Sequence, residues 1–318
     1  MNLFFIVGSG RCGTQMLRNM LLHNKNIAIL PETHFIIPLY DKYKLDIINC
    51  DDFLEVIDNV YSSEGDKWIK VILNGSKKKY VDYKQQYRNY VKLHNINGSI
   101  KDYIEGFYSF LFGKKFLIGD KTPHYGANLE IILKIWPDSK IIYLKRDGVN
   151  TALSMMKHPA FVRDINGNVR FSDIGRVKYQ NLEKNFSKKS PSIEKAIKFW
   201  RECIDQTDDS ITKMKKKKDF ELLNIKYEDL VYNSNNTLKL IYDFLGLEAN
   251  KLAFYKGLCE IKPFTSYKKI LKISKVQYHH LYKICDIQMK KHGYPYLVQK
   301  NQNHLIESLR FIGHYFFN

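Results

Sequence analysis

The chain opens MNLFFIVGSGRCGTQMLRNML, residues 1–21. Leu3 to Val7 is continuously apolar, the pattern of a strand buried on both faces of a parallel sheet. The run stops at GSGRCGT. From Thr14 to His23 the apolar residues Met16, Leu17, Met20 and Leu21 then fall on one helical face. Strand, glycine turn and helix start together aim backbone N–H groups and the positive end of a helix dipole at one point, which suits an anion. Gly8, Gly10 and Gly13 match G-x-G-x-x-G. Gly8 and Gly13 also match the outer glycines of G-x-x-x-x-G-K-[ST], but Thr14 and Gln15 stand where that motif has Lys and Ser or Thr. Three readings follow. The turn is an ordinary tight βα connection, or a dinucleotide site with Glu32 as its ribose-binding acid, or a cradle for another phosphate-like group. In the third, Arg11 is the displaced cation, its planar fork gripping two oxygens of a tetrahedral anion.

Working outward, Ile27 to Leu30 is a second short apolar run, stopped by Pro31. Phe116–Ile118, Lys140–Leu144 and Phe220–Ile225 read as further strands. Helical spacing marks Asn128–Trp136, Ser192–Met214 with Phe199 and Trp200 on its apolar side, and Thr237–Leu245, ended by Gly246. Residues 278–291 and 304–317 read as closing helices. Strands alternating with helices predict an α/β fold: a P-loop-like parallel sheet flanked by helices, one domain over residues 1–318. Asp51 to Phe112 is helical, polar and Tyr-rich, and marks a helical insertion at 41–115. Residues 159–190 are polar and irregular, which predicts a mobile loop. In such sheets ligands bind beyond the carboxyl ends of the strands.

A hydrophobic content of 44% is enough for a real core, and no eighteen-residue apolar stretch marks a transmembrane helix. The N-terminus lacks a basic leader and enters a strand at once, so no signal peptide is read and a cytoplasmic location is expected. The five cysteines are odd in number, scattered and without C-x-x-C, which fits a reducing compartment and no structural zinc. The formal charge is +18, with basic runs at Lys77–Lys79 and at Lys213–Lys218, broken by Met214. These runs are either solvated helix ends and loops or an electropositive surface for an anionic cofactor, glycan or lipid headgroup. Nucleic acid is not expected, because no zinc-finger, RNP or basic-zipper pattern occurs. The C-terminal HLIESLRFIGHYFF reads as a packed helix in preference to an interfacial one.

A second stretch, IIYLKRDGVNTALSMMKH, spans Ile141 to His158. A buried strand delivers Arg146 to its carboxyl end, and a helix begins near Gly148. Ser154 lies two turns into that helix, so Arg146 and Ser154 can converge on one isolated phosphate, apart from the one held by the first turn. The two stretches together resemble the sulfotransferase family that uses 3′-phosphoadenosine 5′-phosphosulfate (PAPS) and releases PAP. In that family a loop like RSGTT grips the 5′-phosphosulfate, matched here by Arg11-Cys12-Gly13-Thr14-Gln15 after Gly10. An R-D-x…S segment grips the 3′-phosphate, matched by Arg146 and Ser154. GDKTPHY, Gly119 to Tyr125, resembles the K-x-P segment of the tyrosylprotein and related bacterial branches. IKYEDL followed by TLKLIYDFLGL, Ile225 to Leu247, resembles Y-E-D-L…F-L-G-L, whose Tyr, here Tyr227, lies near the adenine. HGYPY, His292 to Tyr296, resembles the family's terminal L-G-Y. Arg11 stands where cytosolic small-molecule sulfotransferases carry Lys, and Gln15 replaces the usual second Thr, leaving its amide N–H as the substitute donor.

The resemblance implies metal-free, in-line sulfuryl transfer from PAPS to an acceptor hydroxyl on a glycan, lipid-linked sugar, protein tyrosine or small molecule. It implies Arg11 on the phosphosulfate oxygens, Lys121 on the leaving phosphate, and Glu32 as catalytic base, with His34 and His124 as the next candidates. Thr122 and Pro123 shape the turn that aims Lys121. The insertion at 41–115 is expected to help bind the acceptor, and its charge and tyrosines suit an anionic or sugar-bearing one. The competing reading is a small-molecule kinase that binds ATP and magnesium through the same loop.

Overall fold

The structure, a computed structural model, describes residues 1–62, 73, 82–113, 115–248, 250–261 and 273–294. In chain order the strands are β1 (Leu3–Gly8), β2 (Ile27–Leu30), β3 (Ile47–Ile48), β4 (Gly98–Ser99), β5 (Leu117–Asp120), β6 (Lys140–Lys145) and β7 (Leu222–Lys226). A five-stranded sheet runs in the order β2-β5-β1-β6-β7, and every pairing in it is parallel. The P-loop-like α/β fold expected from the alternating pattern is therefore present. The antiparallel pair β3–β4 stands apart from it.

Because side chains alternate along a strand, β1 sends Phe5 and Val7 into one core and Phe4 and Ile6 into another. The second core is closed by α1 (Thr14–Leu22), α12 (Ser234–Leu245) and α13 (Lys251–Leu258), through Leu17, Met20, Leu238, Ile241 and Phe254. The first core is larger. It takes Phe199, Trp200 and Cys203 from the long helix α10 (Ile193–Lys217), whose N-cap Ser192 accepts from the Lys195 N–H. Between these lie α2 (Ile36–Tyr43), α3 (Cys50–Ser62), α4 (Tyr83–Leu93), α5 (Ile100–Phe112), α6 (Leu129–Ile135), α7 (Gly148–Met155), α8 (Pro159–Asn166), α9 (Ile174–Tyr179) and α11 (Tyr227–Tyr232). The last helices among the described residues are α14 (Lys275–Ile284) and α15 (Asp286–Lys291), which pack Leu281 and Met289 into the first core. The helix expected at 304–317, with HLIESLRFIGHYFF, lies outside the described residues, as do Lys77–Lys79 and the end of HGYPY.

Residues 159–190, expected to be irregular, instead hold α8, α9 and short 3-10 turns at Phe171–Asp173 and Leu182–Asn185. Pro159 opens α8 at a position where a missing N–H costs nothing, and Val162 and Ile165 supply its buried face. α9 is clamped to α2 by a forked contact, Arg176 Nε to Asp41 Oδ2 at 2.5 Å and Nη2 to Oδ1 at 3.2 Å. Part of the Lys213–Lys218 run has a structural use: Lys213 and Lys217 both reach Glu130 on α6, at 2.6 and 2.8 Å. Among the described residues no helix is long and apolar enough to cross a membrane.

Candidate functional site

The carboxyl ends of β1, β2, β5 and β6 open onto one cavity of about 680 Å³, and residues from all four connections line it. At the end of β1 the turn needs its glycines. Gly10 has φ +74° and Gly13 φ +103°, a left-handed region that favours glycine. A Cβ on Gly10 would strike the Phe161 ring, and one on Gly13 the Tyr227 ring. Gly13 caps α1, which starts at Thr14. Of the expected loop residues, Arg11, Gly13, Thr14 and Gln15 line the cavity. Cys12 turns its side chain into the second core, and burial pushes its thiol pKa up, so only its backbone faces the turn. Gln15 donates through Nε2 to Asn19 Oδ1 at 2.8 Å along its own helix.

The end of β6 presents Arg146 to the same turn. Its Nη1 donates to the Arg11 carbonyl at 3.0 Å, and its guanidinium carbon lies 4.3 Å from the centre of the Tyr227 ring. Its Nε is buried without a hydrogen-bond partner among the described residues. The Asp147 carboxylate accepts from the Asn150 N–H and caps α7. This helix carries Ser154, whose Oγ accepts from Arg11 Nε at 3.3 Å. Sequence reasoning gave Arg11 and Ser154 to separate phosphates, but the structure brings them into contact. Burial lowers the Arg11 pKa, Glu32 opposes that, and the nearby Arg146 charge adds to it. Two guanidinium groups held this close, one with an orphaned donor, form a site that favours an anion.

Across the cavity, β2 and β5 end side by side. Lys121, only 3% exposed, donates to Glu32 Oε1 at 2.7 Å. Burial raises the Glu32 pKa, but the charge and hydrogen bond of Lys121, with His124 and Lys178, outweigh it and hold the carboxyl below its usual range. His34 and His124 line the same cavity beside Glu32. Beneath the pair sits Asp120, 0% exposed. It accepts from Thr122 Oγ1 at 2.6 Å, and from Thr33 Oγ1 and Tyr108 Oη, both at 2.8 Å. Thr33 follows Glu32 and Asp120 precedes Lys121, so this network holds both of those side chains by their backbones. Burial pushes the Asp120 pKa up to about 6 against those three donors and Lys121.

Sequence reasoning missed Asp120, and it missed the wall supplied by Phe161, Phe171, Ile174 and Lys178. The signal for the wall was present in Pro159 followed by apolar residues at helical spacing. The hub had none, because its partners are distant in sequence. Among the described residues of 41–115, none lines the cavity. That region acts from behind, through Tyr108 on Asp120 and the Tyr61 hydroxyl on the Thr33 carbonyl at 2.7 Å. Among the described residues no group of three or more His, Cys, Asp or Glu side chains is arranged to hold a metal ion.

Residues 4–251 match the profile of a family described as the sulfotransferase family. No curated protein matches the sequence. Among solved structures, the sulfotransferase domain from the curacin biosynthetic pathway superposes with a TM-score of 0.54 at 16% identity, covering 92% of this chain and 98% of that one. The sulfotransferase domain of the Synechococcus PCC 7002 olefin synthase gives 0.48 at 18% identity over 98% and 94% of the two chains. A sulfotransferase from Alicyclobacillus acidocaldarius gives 0.47 at 15% over 96% and 98%. The curacin domain carries the structural likeness, which is one of fold. The match over residues 4–251 carries the family assignment: the chain belongs to the sulfotransferase family.

Proposed function

We propose that this protein transfers a sulfuryl group from PAPS to a hydroxyl on an acceptor, and that Arg11, Lys121 and Glu32 carry the reaction. The observation that supports this most is the convergence of Arg11, Arg146 and Lys121 on one cavity that also holds Glu32. PAPS would supply an activated sulfuryl group on a phosphate leaving group. The residues fit it: the Gly10–Gln15 turn and the start of α1 suit the 5′-phosphosulfate. The orphaned Arg146 Nε and the Ser154 hydroxyl suit the 3′-phosphate, and Tyr227 lies against Gly13 and Arg146 where the nucleoside would begin.

In this reading Glu32 takes the proton of the acceptor hydroxyl, whose oxygen forms the new bond to sulfur. The bridging sulfur–oxygen bond breaks, and its electron pair stays on the phosphate. Lys121 stabilises the charge growing there, and Arg11 the charge on the equatorial oxygens. A sulfuryl group carries less charge than a phosphoryl group, so fixed cations suffice where a kinase employs magnesium. The acceptor would enter between Lys178 and the aromatic wall of Phe161 and Phe171, which suits an anionic or sugar-bearing molecule. Membership of the sulfotransferase family does not favour the kinase alternative. A thermal-shift panel of PAP, ATP and NAD, each with magnesium and with EDTA, tests the reading. Selective stabilisation by PAP, unchanged by EDTA, is the expected result. Stabilisation by ATP alone, and only with magnesium, would replace this function with the kinase.

A further inference from the structure

Beside Glu32 two imidazoles form a pair. His34, 3% exposed, follows β2, and His124, 2% exposed, lies in the 3-10 turn after β5. Their planes differ by 4°, and His34 Nδ1 is 2.9 Å from His124 Nε2. One of these two nitrogens must carry a hydrogen and the other a lone pair. Each end of the pair has its own environment. His34 Nε2 lies 3.5 Å from Glu32 Oε2. His124 Nδ1 is buried and has no hydrogen-bond partner among the described residues.

A neutral pair has two polarities, and both ends select the same one. With hydrogen on each Nδ1, a His34 lone pair would face the Glu32 carboxylate, and His124 would bury an N–H without an acceptor. With hydrogen on each Nε2, His34 turns a positive N–H edge to the carboxylate, and His124 leaves only a lone pair unsatisfied. An orphaned buried donor is the rarer fault in proteins, and an orphaned acceptor the more tolerated one. Protonation of either ring is opposed by its setting. Burial, joined by the charges of Lys178 and Lys121, holds His34 well below the usual imidazole range, and burial holds His124 down to about 3 despite Glu32. His34 also has φ +58°, a left-handed conformation uncommon for a residue with a side chain.

We infer that His34 and His124 are a neutral pair of fixed polarity, hydrogen on Nε2 of each ring, which positions Glu32. Lys121 holds Oε1 and the His34 N–H edge faces Oε2. At 3.5 Å that contact is electrostatic, longer than a formed N–H···O bond. Two oriented partners, one on each oxygen, fix the carboxylate's rotation. The polarity also removes both rings as candidates for the base: the His34 lone pair is used by His124, and the His124 lone pair is buried. This role rests on the reading of Glu32 as base, but the polarity does not.

Nitrogen-15 NMR of the full chain labelled at histidine reads the polarity directly, because protonated and lone-pair nitrogens of a neutral ring differ widely in shift. His34→Gln and His124→Gln assign the signals. Both rings neutral with hydrogen on Nε2 at pH 7 is expected. Hydrogen on Nδ1 of either ring, or a doubly protonated ring, overturns the inference, whatever the enzyme's substrates are. Positioning is read from PAP release from PAPS with water as acceptor. His34→Gln keeps a donor where Nε2–H stood and should stay within about threefold of wild type, whereas His34→Leu should fall at least tenfold. Equal losses in both would make the pair merely structural. If Glu32→Gln leaves PAP release unchanged, the base assignment fails and with it the positioning role, while the NMR result still decides the polarity.

Discussion

Arg146 makes three separate contributions within one side chain. It stacks on Tyr227, ties the Arg11 carbonyl and holds a buried Nε donor without a partner among the described residues. If that donor serves a 3′-phosphate, Arg146→Ala removes a charge-assisted contact of about 1.5–3 kcal/mol, and PAP affinity should fall by roughly 10–150-fold. Adenosine 5′-phosphosulfate lacks the phosphate and should lose under about threefold. Calorimetry with both ligands checks this, and equal losses would show that Arg146 acts only by shaping the Arg11 turn. Glu32 separates catalysis from binding in a similar way. If Glu32 is the base, Glu32→Gln keeps size and removes it, so turnover should drop by about 10²–10⁴, with PAP affinity held within roughly threefold. A collapse of PAP binding in that variant would mean that the acid holds the nucleotide, as it would in a dinucleotide-binding site. Arg11, Arg146 and Glu32 were legible in the sequence as residues that follow apolar runs, whereas Lys121, and Glu32 as a base, were singled out only by the resemblance to the family's motifs. The Arg11–Ser154 contact was not legible, since a side chain's direction in a positive-φ turn depends on what packs against it.

Among the elements, the paired ends of β2 and β5 decide how well the site is held, and Asp120 ties them together. Its three hydroxyl donors come from β2's end, from its own turn and from α5, so one carboxylate joins the sheet to the helical region 41–115. Its folded pKa of about 6 lies above the ordinary aspartate value of 3.8. Between those two pH values the native chain binds more protons than the unfolded one, so this group's contribution to stability grows as pH falls and is lost as pH rises through about 6. Asp147, also at about 6 by burial, adds in the same direction. Asp120→Asn cannot titrate. From pH 7 to pH 5 the stability of the wild type relative to this variant should therefore rise by about 1–1.5 kcal/mol. Urea unfolding at the two pH values measures it, and a difference independent of pH would mean that Asp120 titrates near its ordinary value in the fold. No sequence pattern announced this hub, because Thr33 and Tyr108 are brought to it only by the sheet and by the packing of α5. The five strands of the parallel sheet and α1 were legible from continuous or periodic apolar residues, and the two-residue pair β3–β4 was not. α8 and α9 were hidden because short helices with one narrow buried face resemble polar loop.

At the level of the whole molecule the cavity lies where two cores meet the carboxyl edge of one parallel sheet, and the distribution of charge follows that geometry. The chain carries a formal +18. Part of that charge is local and structural, as with Lys213 and Lys217 on Glu130. Arg11, Lys121, Arg146 and Lys178 are different: they come from the three connections that follow β1, β5 and β6 and line one cavity, with the acids Glu32, Asp164 and Glu260 beside them. A strongly positive chain with a cation-lined cavity attracts a multiply charged anion before contact. The sequence disclosed the excess charge but not its focus, since only the fold gathers residues this far apart in the chain. A multiply charged nucleotide such as PAP should therefore bind at a rate that falls about tenfold between roughly 0.05 and 0.5 M salt, as the screening length shrinks from about 14 to 4 Å. Dissociation should change less than about threefold, because contacts inside the cavity are poorly screened. Stopped-flow binding across that salt range distinguishes the two. If salt acts on dissociation and leaves association constant, the cavity holds its anion through close contacts alone, and the basic surface belongs to some other interaction.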